Sequence, residues 1–152
     1  MPHIHGYHRI WIDHTSEVAA PLAKVMALLS DLDQWASWTP GLSEVRRDKS
    51  KPVSVGTRFT MRIKPAAFHP PLPVPCKLLR LEPTLIEWGG DALGSEVRHR
   101  FELKELSATR TRVRQLEYAT KVMALLGRIA EPGILRHDLR WQKALGTRLA
   151  AA

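Results

Sequence analysis

The sequence predicts an α+β fold: an antiparallel sheet of about six to seven strands, two short helices after the first strand and a helical C-terminus. Three observations predict it. Two short apolar helices are written between Glu17 and Leu42, apolar and polar residues alternate with period two from Val97 to Glu117, and beyond Thr120 the period becomes that of a helix. The 152 residues suffice for one domain, 1–152, that buries ~68% of its unfolded surface.

The first strand spans Tyr7 to Glu17, with Ile10 and Ile12 on one parity and Trp11 on the other. Pro21 suits the first turn of a helix, and Leu22, Val25, Met26 and Leu29 stack behind it at i, i+3, i+4 and i+7. Ser30 and Asp33 have the spacing of a capping box for a second short helix that carries Leu32, Trp35 and Trp38. Thr39-Pro40-Gly41 stops it.

Strands follow at Gly41 to Asp48 and Thr57 to Lys64, the latter with Phe59, Met61 and Ile63 on its apolar face. Pro65, Pro70, Pro71, Pro73 and Pro75 then read as a stiff connector or a loop bordering a binding site, too rich in proline for a central strand. A hairpin about Glu82-Pro83 places Leu79, Leu81, Ile86 and Trp88 on one face, and Gly89 to Gly94 reads as a turn. That turn lacks a G-x-G-x-x-G pattern and no helix follows it, which excludes a phosphate cradle.

In the last hairpin Val97, His99, Phe101 and Leu103 share one face, as do Val113, Gln115 and Glu117. A two-residue loop would set Leu103 against Arg112 and bury the arginine, so the loop has an odd length, most simply Ser107-Ala108-Thr109. His99 then opposes Glu117; a five-residue loop would pair it with Gln115 instead. On the other face Arg98, Arg100, Arg112 and Arg114 form a basic stripe.

The tail is helical in two pieces, Lys121 to Ala130 and, after Glu131-Pro132-Gly133, a final helix to about Leu149. Ile134, Leu135, Leu139, Trp141, Leu145 and Leu149 define its apolar face, with Asp138 and Gln142 in the middle of the arc. Two polar groups there need a hydrogen-bond partner, water or a cavity, because unpartnered burial costs ~1–3 kcal/mol each.

Composition bounds the function. With 44% hydrophobic and 25% charged residues the chain reads as globular, and its longest apolar run is too short to span a bilayer. The N-terminus has no apolar secretory core, and a single cysteine, Cys76, fits a reducing cytoplasm and forms no thiolate cluster. His3, His5, His8 and His14 cluster without a carboxylate or cysteine at ligand spacing, so no metal site and no cofactor is expected. The net charge of +8 suits an anionic partner or simple solubility, and no nucleic-acid motif accompanies it. No G-x-S-x-G, H-E-x-x-H, P-loop or Cys–His pairing is present.

The string APLAKVMALLSDLDQWASWTPGLSEV resembles the opening of the SRPBCC (START-related) superfamily, in which an Ala-Pro helix, an Asp-centred break and a Trp before Pro recur. Further matches, in the right order, are Val55 to Phe59, Leu85 to Trp88, His99 to Leu103 and Thr111 to Val113. This group includes lipid-transfer domains and polyketide cyclase/dehydrase proteins. The resemblance implies a helix-grip fold, with a curved sheet wrapped round the long C-terminal helix and a cavity between them for an apolar ligand.

In that arrangement His99, Gln115 and Glu117 on the sheet converge with Asp138 and Gln142 on the helix. The expected chamber is otherwise lined by Phe59, Met61, Ile63, Trp88, Phe101 and Leu103 and suits an amphiphile. The first reading is a carrier or sensor of a hydrophobic small molecule such as a lipid, polyketide or isoprenoid. A second is a cyclase or dehydratase with His99, Glu117 and Asp138 as acid–base candidates. A third places the basic stripe against a partner or an acidic membrane surface. His99 satisfied by Glu117 as a plain core pair is the bland alternative.

Overall fold

The computed structural model describes residues 8–64, 70–92 and 94–151. The expectations for His3, His5, Tyr7 and Pro65, and for the side chains of His8, Trp11 and Ile134, lie outside the described residues. Seven antiparallel strands form one curved sheet: β1 His8–Val18, β2 Leu42–Arg47, β3 Arg58–Ile63, β4 Leu72–Glu82, β5 Leu85–Ala92, β6 Ser95–Ser107 and β7 Arg110–Thr120. Their order is β1-β7-β6-β5-β4-β3-β2, so consecutive strands from β2 onward are neighbours and β1 closes the far edge. Helices α1 (Leu22–Ser30) and α2 (Trp35–Trp38), the latter preceded by a 3-10 turn at Leu32–Gln34, carry the chain from one edge to the other. The long helix α3 (Lys121–Ala150) completes the helix-grip α+β fold.

Pro21 stands just before α1 with extended backbone, as its fixed φ allows. The capping box does not form. The Ser30 hydroxyl donates back to the Met26 carbonyl at 2.8 Å, and Asp33 accepts two hydrogen bonds from the Arg47 guanidinium. Tertiary pairing with an arginine on β2 outcompetes the local cap, since a bidentate charged pair is stronger than a single backbone contact.

The β6/β7 register sets Leu103 opposite Val113, Phe101 opposite Gln115 and His99 opposite Glu117. Its loop is shorter than three residues: Ser107 pairs with Arg110, and a bulge between Glu105 and Ser107 takes up the odd residue. A bulge changes face parity as an extra loop residue does. Another bulge, between Leu78 and Arg80, shifts the β4/β5 hairpin so that Leu78, and not Leu79, pairs with Trp88 in the core.

The end of the proline-rich stretch, from Leu72 to Pro75, is a strand. Leu72 to Cys76 pair with β3, whereas pairing of β4 with β5 begins only at Lys77–Gly89. Pro73 and Pro75, two residues apart, present the same side of the strand, and neither has a ladder partner on β5. A central strand is thus locally an edge, where a missing N–H costs no ladder bond. Gly89 and Gly90 extend β5 rather than turning it, because β5 must approach its neighbours closely. A Cβ at Gly90 would lie 2.5 Å from the Pro75 carbonyl oxygen, and one at Gly89 2.0 Å from that of Val97. We expect Gly89→Ala to lower stability by about 1–3 kcal/mol, the usual cost of overpacking, as read from urea unfolding.

Helix α3 is continuous through Pro132. Pro132 and Gly133 are exposed, so water can take the carbonyl that proline leaves without a donor. Trp141, Leu145 and Leu149 are buried, but Leu135 and Leu139 are exposed: the arc that meets the sheet centres on Asp138, Trp141, Gln142 and Leu145. The core is knit by aromatic rings. Trp35 of α2 packs on Phe59, Trp88 and Trp141 at centroid separations of 5.8, 4.7 and 5.6 Å, and its indole N–H donates to the Leu29 carbonyl at 3.0 Å.

On the convex face the arginine stripe is matched by carboxylates. Arg100 pairs with buried Glu87 and with Glu102, Arg98 with Glu96, Arg112 with Glu17, and Arg114 with Asp13 and Glu102. The expected basic surface is therefore a ladder of ion pairs, with little field left for a partner.

Candidate ligand site

Between the concave sheet and α3 lies a cavity of about 310 Å³. Of the eleven residues expected around a ligand, Met61, Ile63, Trp88, His99, Glu117 and Asp138 line it. Phe59, Phe101 and Leu103 are buried in the core and do not reach it. Their face is the inward one, but α1, α2 and α3 already cover that part of the sheet.

Gln142 is a correction of another kind. It faces β1, where its amide donates to the His14 carbonyl at 3.2 Å and its oxygen accepts from the Ser16 hydroxyl at 2.6 Å. It fastens α3 to the sheet edge. Gln115 is fully buried behind His99, its amide nitrogen 2.9 Å from His99 Nε2. With the amide as drawn, Nε2 accepts and Nδ1 carries the proton; interchanging amide oxygen and nitrogen reverses both roles. Either arrangement locks the ring plane and leaves the other amide atom unpartnered.

The imidazole of His99 is stacked on Trp88, with centroids 4.5 Å apart and planes 9° apart, and meets the edge of Trp141 at 5.0 Å. Desolvation in this aromatic box, with a further contribution from His137, pushes its pKa down to about 3, so the ring is neutral at physiological pH. Nδ1 faces Glu117 Oε2 at 3.8 Å. That distance is too long for a hydrogen bond, and a neutral ring makes no ion pair.

Glu117 and Asp138 are the unusual pair. Their side chains come from β7 and α3, and together with His99 they place donor atoms within 4.8 Å of one another. Burial raises the Glu117 pKa well above the usual carboxylate range, and the neighbouring Asp138 charge raises it further. Burial also raises Asp138, to about 6, against a downward pull from its hydrogen bond with Glu117. Both Asp138 oxygens are buried without any N–H or hydroxyl donor from the protein, so a proton on Glu117 would satisfy one of them. No lysine or arginine lines the cavity among the described residues. The cluster must therefore hold protons, or a cation that His99, Glu117 and Asp138 would gather, because two bare carboxylates in an apolar chamber are too costly.

Sequence reasoning missed several lining residues. Val74 and Cys76 were hidden in the proline stretch, although their own alternation is strand-like. His137, whose pKa is lowered by burial and by Arg140, sits beside Asp138 on the rim of the helix arc and was legible from the helical angle. Thr39 accepts a hydrogen bond from the Trp141 indole, a contact only the folded chain reveals. Burial lifts the Cys76 thiol to about 12, so it is an inert wall and no nucleophile.

A family model described as polyketide cyclase / dehydrase and lipid transport matches residues 9–146. No curated protein sequence matches the chain. Solved structures share its fold at low identity. The Zhui aromatase/cyclase from Streptomyces sp. R1128 is 17% identical with a TM-score of 0.73, covering 95% of this chain and 94% of that one. A START superfamily protein from Mycobacterium smegmatis is 15% identical with a TM-score of 0.75, covering 96% and 99%. A point mutant of norcoclaurine synthase from Thalictrum flavum, in complex with a transition-state analogue, is 16% identical with a TM-score of 0.71, covering 97% and 98%.

Proposed function

Because the chain belongs to the polyketide cyclase/dehydrase and lipid transport family, we propose that it binds a hydrophobic small molecule with one oxygen-bearing end, as a carrier or sensor. The observation that carries this reading is the chamber itself. Met61, Ile63, Val74 and Trp88 offer apolar wall, while Glu117, Asp138 and His99 offer one polar spot at its heart. A protonated carboxyl donates and a carboxylate or neutral imidazole accepts, which suits a ligand hydroxyl or carbonyl. Near 310 Å³ the space is at the small end of the ~300–1,000 Å³ usual for ligand pockets. A single-chain lipid, a short isoprenoid or a fused-ring polyketide fits this reading better than a two-chain lipid.

Quenching of Trp88 and Trp141 fluorescence, together with native mass spectrometry against a panel of such compounds, tests it. We expect stoichiometric binding that Met61→Trp blocks by filling the space. Failure of every panel member to bind, or equal binding by the filled variant, would refute the reading.

A second reading is favoured by the shared proton. In a dehydration, Asp138 as carboxylate would take the proton beside a carbonyl while Glu117 gave its proton to the departing hydroxyl, so that water leaves. Family membership and the fold shared with a cyclase and a synthase support considering it. On this reading Glu117→Gln keeps ligand affinity but lowers turnover at least ~100-fold, the lower bound for a lost general acid. Unchanged turnover in that variant would remove acid–base chemistry by Glu117.

A further inference from the structure

Most arginines between Arg46 and Arg114 hold a carboxylate, but Arg136, Arg140 and Arg148 of α3 do not. Arg136, Arg140, Lys143 and Arg148 are exposed, with no ion-pair partner among the described residues. Asp138, on the same helix, is turned inward and buried. The outward face of α3 thus carries part of the net charge of +8 without a carboxylate to balance it.

That same face is greasy. Leu125, Leu126, Leu135 and Leu139 are between 40% and 63% exposed, although the helix has a sheet to pack on. At 100° per residue Leu135, Leu139 and Leu125 form one flank, and Lys143, Arg136 and Arg140 fall beside them within the same outward half-turn. From Leu125 to Lys143 the strip is ~27 Å long at 1.5 Å per residue. Leucines bordered by unpaired cations are what an amphipathic helix needs to lie in the headgroup region of an anionic bilayer. No helix among the described residues is long and apolar enough to cross a membrane, so the contact is with the surface.

We propose that the outward face of α3, with Leu125, Leu135 and Leu139 inserted and Arg136, Arg140 and Lys143 on lipid phosphates, docks this protein on an anionic lipid surface. Charge complementarity selects this occupant over a second copy of the chain, whose identical face would bring like charges together in a symmetric contact. The docking face is on the opposite side of α3 from the cavity wall. It is independent of whether the cavity is loaded.

Co-sedimentation with vesicles tests the proposal, using phosphatidylcholine alone and an equimolar mixture with phosphatidylglycerol. Binding is expected to the mixed vesicles only and to weaken as salt is raised. Replacing Arg140 and Lys143 by glutamine should lower partitioning roughly 30-fold, about fivefold for each cation lost near an anionic surface. The pair Leu125→Ser and Leu139→Ser should lower it without altering net charge. Since all four positions are exposed, circular dichroism and the melting temperature should stay at wild-type values. Equal binding to neutral vesicles, a double-glutamine variant that binds as well as wild type, or a stable dimer dissociated by Leu125→Ser in sedimentation velocity would each overturn it.

Discussion

Replacing Asp138 by asparagine is expected to stabilise the protein at neutral pH and to leave it nearly unchanged in acid. The folded state holds the Asp138 proton up to a pKa of about 6, against the ordinary aspartate value of 3.8, because burial penalises the carboxylate. Between those two values the unfolded chain has already lost the proton that the folded chain keeps, so stability contributed by this group falls as pH rises through that window. Asparagine carries no such cost. The difference in unfolding free energy between variant and wild type should be close to zero near pH 3, grow through pH 4 to 6 and level off at about 3 kcal/mol above it. His99 slopes the other way, since its lowered pKa means protons bind the unfolded state first, and it stabilises the fold as pH rises toward its ordinary value of 6.5. His99 is present in both proteins and drops out of the difference, whereas Glu117, whose pKa the Asp138 charge helps to raise, is raised less in the variant and adds to the stabilisation in the same direction. Urea denaturation of the two proteins across pH 3 to 8 checks this. A flat difference would mean that water or a bound cation, and not a shared proton, balances the Glu117–Asp138 pair.

The second large effect belongs to Trp35. Changing it to alanine should cost about 3–5 kcal/mol, the range for truncating a buried aromatic. Three elements meet on this one side chain: Phe59 of β3, Trp88 of β5 and Trp141 of α3. The hole left behind cannot collapse easily, because Trp88 is also stacked on His99 and Trp141 is tied to Thr39. A stability loss should therefore be accompanied by a rise in the His99 pKa, as water enters beside the aromatic box. Chemical denaturation measures the first and a histidine proton titration by NMR the second. A loss below ~1 kcal/mol would show that Trp35 is no keystone.

The polar heart of the cavity was partly legible because a hairpin is a strict geometry. Alternation from Val97 to Leu103 and the charge of Arg112 left few registers open, and the simplest of them sets His99 opposite Glu117, as observed. Helical angle likewise marked Asp138 as inward-facing. The same rule misplaced Leu135 and Leu139 and left open what Gln142 meets, because an angle states which residues share a face and not which neighbour that face meets. Gln142 faces β1 and the two leucines face outward.

Local residue habits misled at the glycines and prolines. Gly89-Gly90 looks like a turn, yet it is the close contact of β5 with β4 and β6 that excludes a side chain there. Pro73 and Pro75 look incompatible with an inner strand, yet the β4/β5 ladder starts only after them, at Lys77–Gly89. Pro132 looks like a break, yet α3 runs through it on the solvent side. In each case the deciding partner is distant in the chain.

By itself the sequence determined the α+β order of elements, the period of the β6/β7 strands and of the helices, and the inward face that His99, Gln115 and Glu117 share, because all of these are set by neighbours within a few residues. Tertiary structure alone decided that Asp138 comes to lie beside buried Glu117, that Gln115 holds His99 while Gln142 holds β1, and that the arginine stripe is neutralised while Arg136, Arg140 and Lys143 of α3 are not. Those outcomes depend on which surfaces meet across the sheet and on how far water is excluded between them. Such burial and charge balance exist only once residues separated by much of the chain have been brought together.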